Sequence, residues 1–183
     1  MNEVMKTIKN RRSIRNYLPE QIKDEELETI IEAGIYAPTA HNDQPWHFTV
    51  IQNRELIDFI NKESKELMKN SEYEWMRNIA KNDKIHLLHN APTVFVVSGR
   101  KYAISPLVDC SAAIENMLLA AESLGIGSCW IGLVRSFFTK KDNIAKLDIP
   151  EGYEPYYAFT LGYKAINNVK APERKRDVVN YIK

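Results

Sequence analysis

What this chain of 183 residues lacks narrows its chemistry before any motif is read. No stretch reaches the roughly 18 apolar residues of a bilayer-crossing helix. The opening "MNEVMKTIKNRR" has no apolar run long enough for a signal peptide. Charge of one sign is missing too: 25 basic side chains face 24 acidic ones, a net charge of +1. Without a global field, neither nucleic acid nor an anionic membrane is expected as a partner. Cysteine is scarce. Cys110 and Cys129 match no metal-binding or CxxC spacing, and two thiols without a disulfide framework predict a cytoplasmic location. With no internal repeat, low-complexity tract or Gly/Ser/Pro linker, residues 1–183 read as one domain. The apolar fraction, 44%, is ordinary for a soluble globular protein and enough for a real core.

Catalytic signatures are missing as well. There is no GxxxxGK followed by Ser or Thr, and no GxGxxG between a strand and a helix. His41, His47, His86 and His89 form no HExxH and have no carboxylate at ligand spacing, so no metal site is expected. His86 and His89, separated by Leu87 and Leu88, read as surface or capping residues. No GxSxG elbow is present. Cys129 lies in an apolar strand without an activating base and reads as a small buried hydrophobe. No nucleophile or general base stands out. A bound cofactor is therefore expected to carry the chemistry, with the protein supplying position and electrostatics.

The patterning that is present predicts interleaved helices and strands, hence a sheet covered by helices. A short helix spans Glu3 to Asn10. Asp24 is the predicted N-cap of the next, whose apolar face is Leu27, Ile30, Ile31 and Ile35. Trp46 to Gln52 reads as a strand, and Asn53 caps a helix running to about Met68. Residues 70–90 suggest one or two short helices. "PTVFVVSG" (Pro92 to Gly99) is a strand buried on both faces. Leu107 to Leu124 is the most apolar helix, stopped by Gly125, and predicts burial by its own sheet and by a second subunit. "GSCWIGLV" and "YYAFTLGY" supply two more strands, Thr139 with Asp142 resembles a capping box, and the tail "ERKRDVVNYIK" is basic and weakly amphipathic.

Four features are candidates for function. "RRSIRNY" packs Arg11, Arg12, Ser13 and Arg15 at a helix end, a solvated patch or a grip for phosphate and carbonyl acceptors. "GIGSCWIG" is a helix stop before a buried strand, or a place where accessible amides at Gly127 and Ser128 meet a flat ligand. Asp109 is a helix N-terminal acid or an interface acceptor. The densest segment is "APTAHNDQPWHFTVI", Ala37 to Ile51, which puts two amides, a hydroxyl, an imidazole and a Trp into a Pro-bounded loop.

Together, "RRSIRNY", "APTAHNDQPWHFTVI", "DCSAAIENMLLAAESLGIGSCWIG" and "LGY" with "APERK" resemble the nitroreductase family of FMN-dependent oxidoreductases, in order and over essentially the whole chain. The Gln-Pro-Trp block is the most specific piece and the basic tail the loosest. The resemblance implies an α+β fold with a mainly antiparallel sheet flanked by helices. It also implies an intertwined homodimer with FMN at the subunit interface. By motif position, Arg11, Arg12 and Ser13 would hold the phosphate and ribityl chain, and Arg15 would support the N1/C2 edge electrostatically. Pro38, Thr39 and Asn42 of the partner would line the isoalloxazine, with Gln44 bracing that loop or reaching the ribityl chain. Ser128, Trp130, Ile131 and Gly132 would approach through backbone groups. Arg174 and Lys175 would complete the phosphate grip, with Lys170 and Arg176 as rivals.

The implied reaction is ping-pong hydride transfer from NADH or NADPH, via the flavin, to a quinone, nitroaromatic or enone. The implied alternatives are a flavin-storing module without turnover and a dehalogenase-like branch of the family. His41 and Asp43 fill variable positions of the motif and are candidates for tuning substrate, and residues 70–90 are a candidate wall of the acceptor pocket.

Overall fold

The computed structural model describes residues 1–166 and 169–183. Its centre is a four-stranded sheet of β1 (Trp46–Ile51), β2 (Thr93–Arg100), β4 (Tyr153–Tyr163) and β3 (Ile126–Ile131), in that spatial order. All three pairings are antiparallel, which gives the α+β architecture with helices on both faces. Every residue of β2 from Thr93 to Gly99 is buried, the expected signature of a central strand covered on both sides.

Side-chain alternation sorts the core into two layers. Val94, Val96, Cys129, Ile131 and Ala158 face α3 (Arg54–Met68), α4 (Glu74–Lys81) and a 3-10 segment at Leu133–Thr139. Phe95, Val97, Ile126, Phe159 and Leu161 face α5 (Pro106–Ser123), with Phe95 and Phe159 stacked at 4.7 Å. Outside α5 lie α2 (Asp24–Ile35) and α1 (Glu3–Asn10).

Local chemistry explains the boundaries, including those that differ from expectation. Asn53 caps α3 through its side chain, which accepts the Leu56 N–H at 2.9 Å. Lys23, not Asp24, occupies the N-cap of α2, because the Glu26 carboxylate reaches back to the Lys23 N–H at 3.0 Å. α5 gives way at Leu124 to Gly125, whose φ of 76° suits only a residue without Cβ. The third strand stops at Ile131, because Gly132 turns into helical backbone and starts the 3-10 segment. The capping box at Thr139 does not form. Its hydroxyl donates to the Ser136 carbonyl at 2.7 Å, and Lys140 precedes the short α6 (Lys141–Ile144) instead. The tail is exposed and without regular structure over residues 169–183.

α5 is buried against the sheet and α2 through Cys110, Ala113, Ile114, Met117, Leu118 and Ala121. Its other side is open: Leu107 and Val108 are exposed, and Leu119 and Ala120 border an apolar groove of about 420 Å³ shared with α1 and Tyr36. No helix among the described residues is long and apolar enough to cross a membrane.

Candidate functional site

The arginine segment forms an arm along one edge of the sheet. Ser13 makes a parallel bridge to Ser128 on β3, and the Ile14 N–H donates to the Ser128 carbonyl at 2.8 Å. The arm then crosses to the end of β4, where the Leu18 N–H donates to the Tyr163 carbonyl at 2.9 Å. Glycine makes this close passage possible. A Cβ on Gly127 would stand 2.9 Å from Ile14, and one on Gly162 would stand 2.8 Å from Pro92 and 2.9 Å from Tyr17. The approach to Gly127 and Ser128 that the sequence left open to a flat ligand is thus filled by the chain's own arm.

The arm alternates. Arg12 and Ile14 line a cavity of about 310 Å³ with Asn10, Glu122, Lys164 and Val169. Ser13, Arg15 and Tyr17 lie on the other side, beside Cys129 and Thr160. Arg12 is held by carbonyls alone: Lys9 and Arg11 at 2.7 Å and Val169 at 3.2 Å. Arg11 faces Glu115 on α5 at 3.5 Å. Arg15 is exposed and has no hydrogen bond or ion pair among the described residues. Tyr17 locks the bend: its hydroxyl donates to the Ile14 carbonyl at 2.6 Å and pairs with Thr160 Oγ1 at 2.7 Å. Burial pushes that phenol well above the ordinary tyrosine range and raises the Cys129 thiol too, so both stay protonated.

Further along β3, packing absorbs most of the predicted contact residues. Ser128 and Ile131 are buried, and Trp130 sits edge-on to Tyr157 at 5.3 Å in the α5-side layer. Gly132 is different. It is exposed, and the space where its Cβ would stand is empty to 4 Å, which leaves its backbone open to a flat group.

The second segment, Pro38 to Pro45, is built at the opposite edge of the sheet, just before β1. Three of its residues have left-handed backbone: His41 (φ 52°), Asn42 (φ 56°) and Gln44 (φ 42°). Non-glycine residues hold that conformation only when contacts over-determine it, and here two carboxylates do so. Asp109, buried at 4% exposure near the start of α5, accepts the Thr39 hydroxyl at 3.0 Å and the Ala40 N–H at 3.3 Å. Asp43 accepts the Arg100 guanidinium and the Ile104 N–H, tying the loop to the β2–α5 turn. Gln44 is the brace: its amide donates to the Asn42 side-chain carbonyl at 2.9 Å, leaving the Asn42 NH₂ free to project. Asp43 therefore acquires a structural role, whereas the exposed His41 does not.

The two segments do not meet within one chain. They sit at edge strands with two strands between them, roughly 14 Å apart by strand spacing alone. They also lie at opposite ends of the sheet, the loop near Gly99 and the arm near Leu161. Arg174 and Lys175 are on the exposed tail and make no hydrogen bond or ion pair with either segment among the described residues.

Of residues 70–90, read as one or two short helices, only Glu74–Lys81 is helical, and the chain then turns repeatedly up to Pro92. His86 works as a cap, its Nδ1 accepting the N–H groups of Leu88 at 3.2 Å and Asn90 at 3.3 Å, while Nε2 pairs with Asp58 at 3.1 Å. His89 does not cap. Burial first, and the Arg15 charge next, lower its pKa to about 4, so its ring is neutral.

An α+β protein with an arginine arm bridged to one edge strand, an open glycine backbone at the end of that strand and a strained amide loop at the far edge has the parts of a site for a phosphorylated planar ligand. The chain belongs to the nitroreductase family, whose model matches residues 8–163. It is 39% identical over 168 residues to an Archaeoglobus fulgidus protein provisionally named NADH dehydrogenase/NAD(P)H nitroreductase, covering 89% of this chain and 86% of that one. A Bacillus subtilis protein named FMN reductase (NAD(P)H) is 30% identical over 192 residues, covering 99% of this chain and 74% of its own. Among solved structures, a Bacteroides fragilis nitroreductase with bound FMN superposes with a TM-score of 0.89 at 34% identity, over 100% of both chains.

Proposed function

We propose that the chain is an FMN-dependent NAD(P)H oxidoreductase that works as a homodimer, with each flavin held between the arm of one chain and the loop of the other. The observation that carries this reading is the placement of the two segments on opposite edges of the sheet, where one chain alone cannot bring them together. The residues present fit the cofactor. Arg15 is a cation without a carboxylate partner among the described residues, Ser13 is half-buried beside it, and Gly132 leaves backbone open to a planar ring.

A bound FMN supplies the hydride chemistry, from NADH or NADPH to a small acceptor such as a quinone, nitroaromatic or enone. The chain's own residues do the rest. Arg11 and Ser13 hold the phosphate and ribityl chain, joined by Arg12 or by Arg174 and Lys175 of the tail. Arg15 places positive charge where a reduced flavin becomes anionic, which stabilises the reduced form. Pro38, Thr39 and the free Asn42 amide of the second chain line the ring, with Gln44 bracing them. Ser128, Trp130 and Ile131 shape the strand that presents Gly132. Two unpaired, buried thiols suit a cytoplasmic location.

Purified protein is expected to be yellow, and Arg15→Ala is expected to weaken FMN binding about tenfold or more, the scale of a lost charge-assisted contact. Colourless protein that takes up no added FMN overturns the reading. Stopped-flow mixing with NADH or NADPH separates an enzyme from a storage module: bound flavin that does not bleach identifies the latter.

A further inference from the structure

We propose that His89 is a further cofactor-contacting residue, its neutral imidazole meeting the polar pyrimidine edge of FMN alongside Arg15. The inference rests on the FMN reading above and extends it to a residue outside the family-like motifs.

Three observations carry it. The first is backbone strain. His89 and Asn90 are consecutive left-handed residues, with φ of 54° and 52°. A non-glycine residue pays for that conformation, and two in a row persist only when the surroundings fix them. Those surroundings are explicit. His86 accepts the Leu88 and Asn90 N–H groups, the His89 N–H donates to the His86 carbonyl at 2.9 Å, and the Asn90 side chain accepts Arg54 at 2.8 Å. These polar groups hold the turn. The His89 ring does not: it is half-buried, yet neither nitrogen has a hydrogen-bond partner among the described residues.

Location is the second observation. The turn leads through Ala91 into Pro92, which meets Tyr17 across Gly162, so the turn and the arginine arm lie against each other. The Arg15 charge reaches the His89 ring, and Arg15 lies with Ser13 beside Cys129.

Chemistry is the third. A neutral imidazole has one donor and one acceptor nitrogen. The pyrimidine edge of a flavin alternates carbonyl acceptors with a ring N–H, so either nitrogen finds a complement there. Beside Arg15, an uncharged partner adds recognition without adding repulsion.

The test compares wild type, His89→Gly and His89→Asn as apoproteins titrated with FMN, followed by flavin fluorescence and by the ¹⁵N resonances of the His89 ring. Glycine removes the ring while suiting the left-handed backbone, so His89→Gly is expected to fold with an unchanged or higher Tm. Its Kd for FMN is expected to rise about 5- to 20-fold, the scale of one lost hydrogen bond in a half-buried site. His89→Asn, which tolerates the same backbone and keeps a donor and an acceptor, is expected to recover part of the loss. In the wild type the ring resonances are expected to shift on FMN binding. A His89→Gly Kd indistinguishable from that of wild type, or ring resonances that FMN does not move, overturns the inference while leaving the FMN reading intact. Wild-type protein that binds no FMN overturns both.

Discussion

The arm over residues 11–17 is held to its edge of the sheet by backbone, whereas the loop over residues 38–45 is held to the other edge by side chains. Along the arm, the Ser13–Ser128 bridge, the Ile14 N–H and the Leu18 N–H follow strand-like pairing, and glycines at 127 and 162 clear the way. Along the loop, Asp109 and Asp43 gather hydrogen bonds from Thr39, Ala40, Arg100 and Ile104 onto a strained backbone. Backbone pairing fixes the course of a chain and leaves alternate side chains free, which suits a row of arginines. Carboxylate anchoring fixes a particular turn, which suits an amide that must point one way. Each anchoring mode matches what its segment presents.

The sharpest way to break this comparison is to put the two segments on different chains. Arg15→Ala and Asn42→Ala homodimers each lose one wall of every proposed site. Mixed and re-annealed, they are expected to regain about one quarter of the wild-type sites, because half the dimers are mixed and each mixed dimer has one intact site. Measured turnover that stays at the level of the unmixed variants places both walls in one chain and overturns the cross-chain site.

A smaller effect is expected from Asp109→Ala, which leaves the Thr39 hydroxyl and the Ala40 N–H without their acceptor, at a cost of about 2 kcal/mol in urea unfolding. FMN affinity is expected to fall with it, since the Asn42 turn loses its anchor. A variant that unfolds like wild type shows that the loop is held some other way. Smaller again is Gly127→Ala, where the new methyl presses on Ile14 and the Lys164 stem. About 1 kcal/mol is expected, because an arm at a sheet edge can shift where a core strand cannot. An equal or larger loss than for Asp109→Ala reverses the ranking of the two anchors.

Much of this was legible in the sequence, for reasons that differ by residue. Four strands and the helices from residue 3, residue 54 and residue 106 follow from apolar periodicity and from Asn53 and Gly125, all local signals. The capping errors at Asp24 and Thr139 come from competition among neighbours. Glu26 reaches back to Lys23, and the Thr139 hydroxyl is taken by Ser136, choices that residue type alone does not reveal. At the site, the arginine arm and the amide loop were visible as dense polar clusters. Their anchors were not: Asp43 could be assigned only once Arg100, 57 residues away, was beside it. Gly127 could be read either as part of a helix stop before a buried strand or as backbone open to a flat ligand, because nothing local shows that Ile14 packs over it. His89 gave the weakest signal of all, one histidine in a polar tract, and only the left-handed backbone and the nearby arm distinguish it from His86.

On the proposed cross-chain site, the opposite-edge placement would make cofactor retention a matter of dilution. If FMN binds only where two chains meet, flavin uptake and chain association are linked equilibria, and each strengthens the other. Diluting the protein then sheds flavin even when free flavin is held constant, while adding flavin draws separate chains together. On that reading, the yellow, competent form is favoured where both chain and cofactor are plentiful.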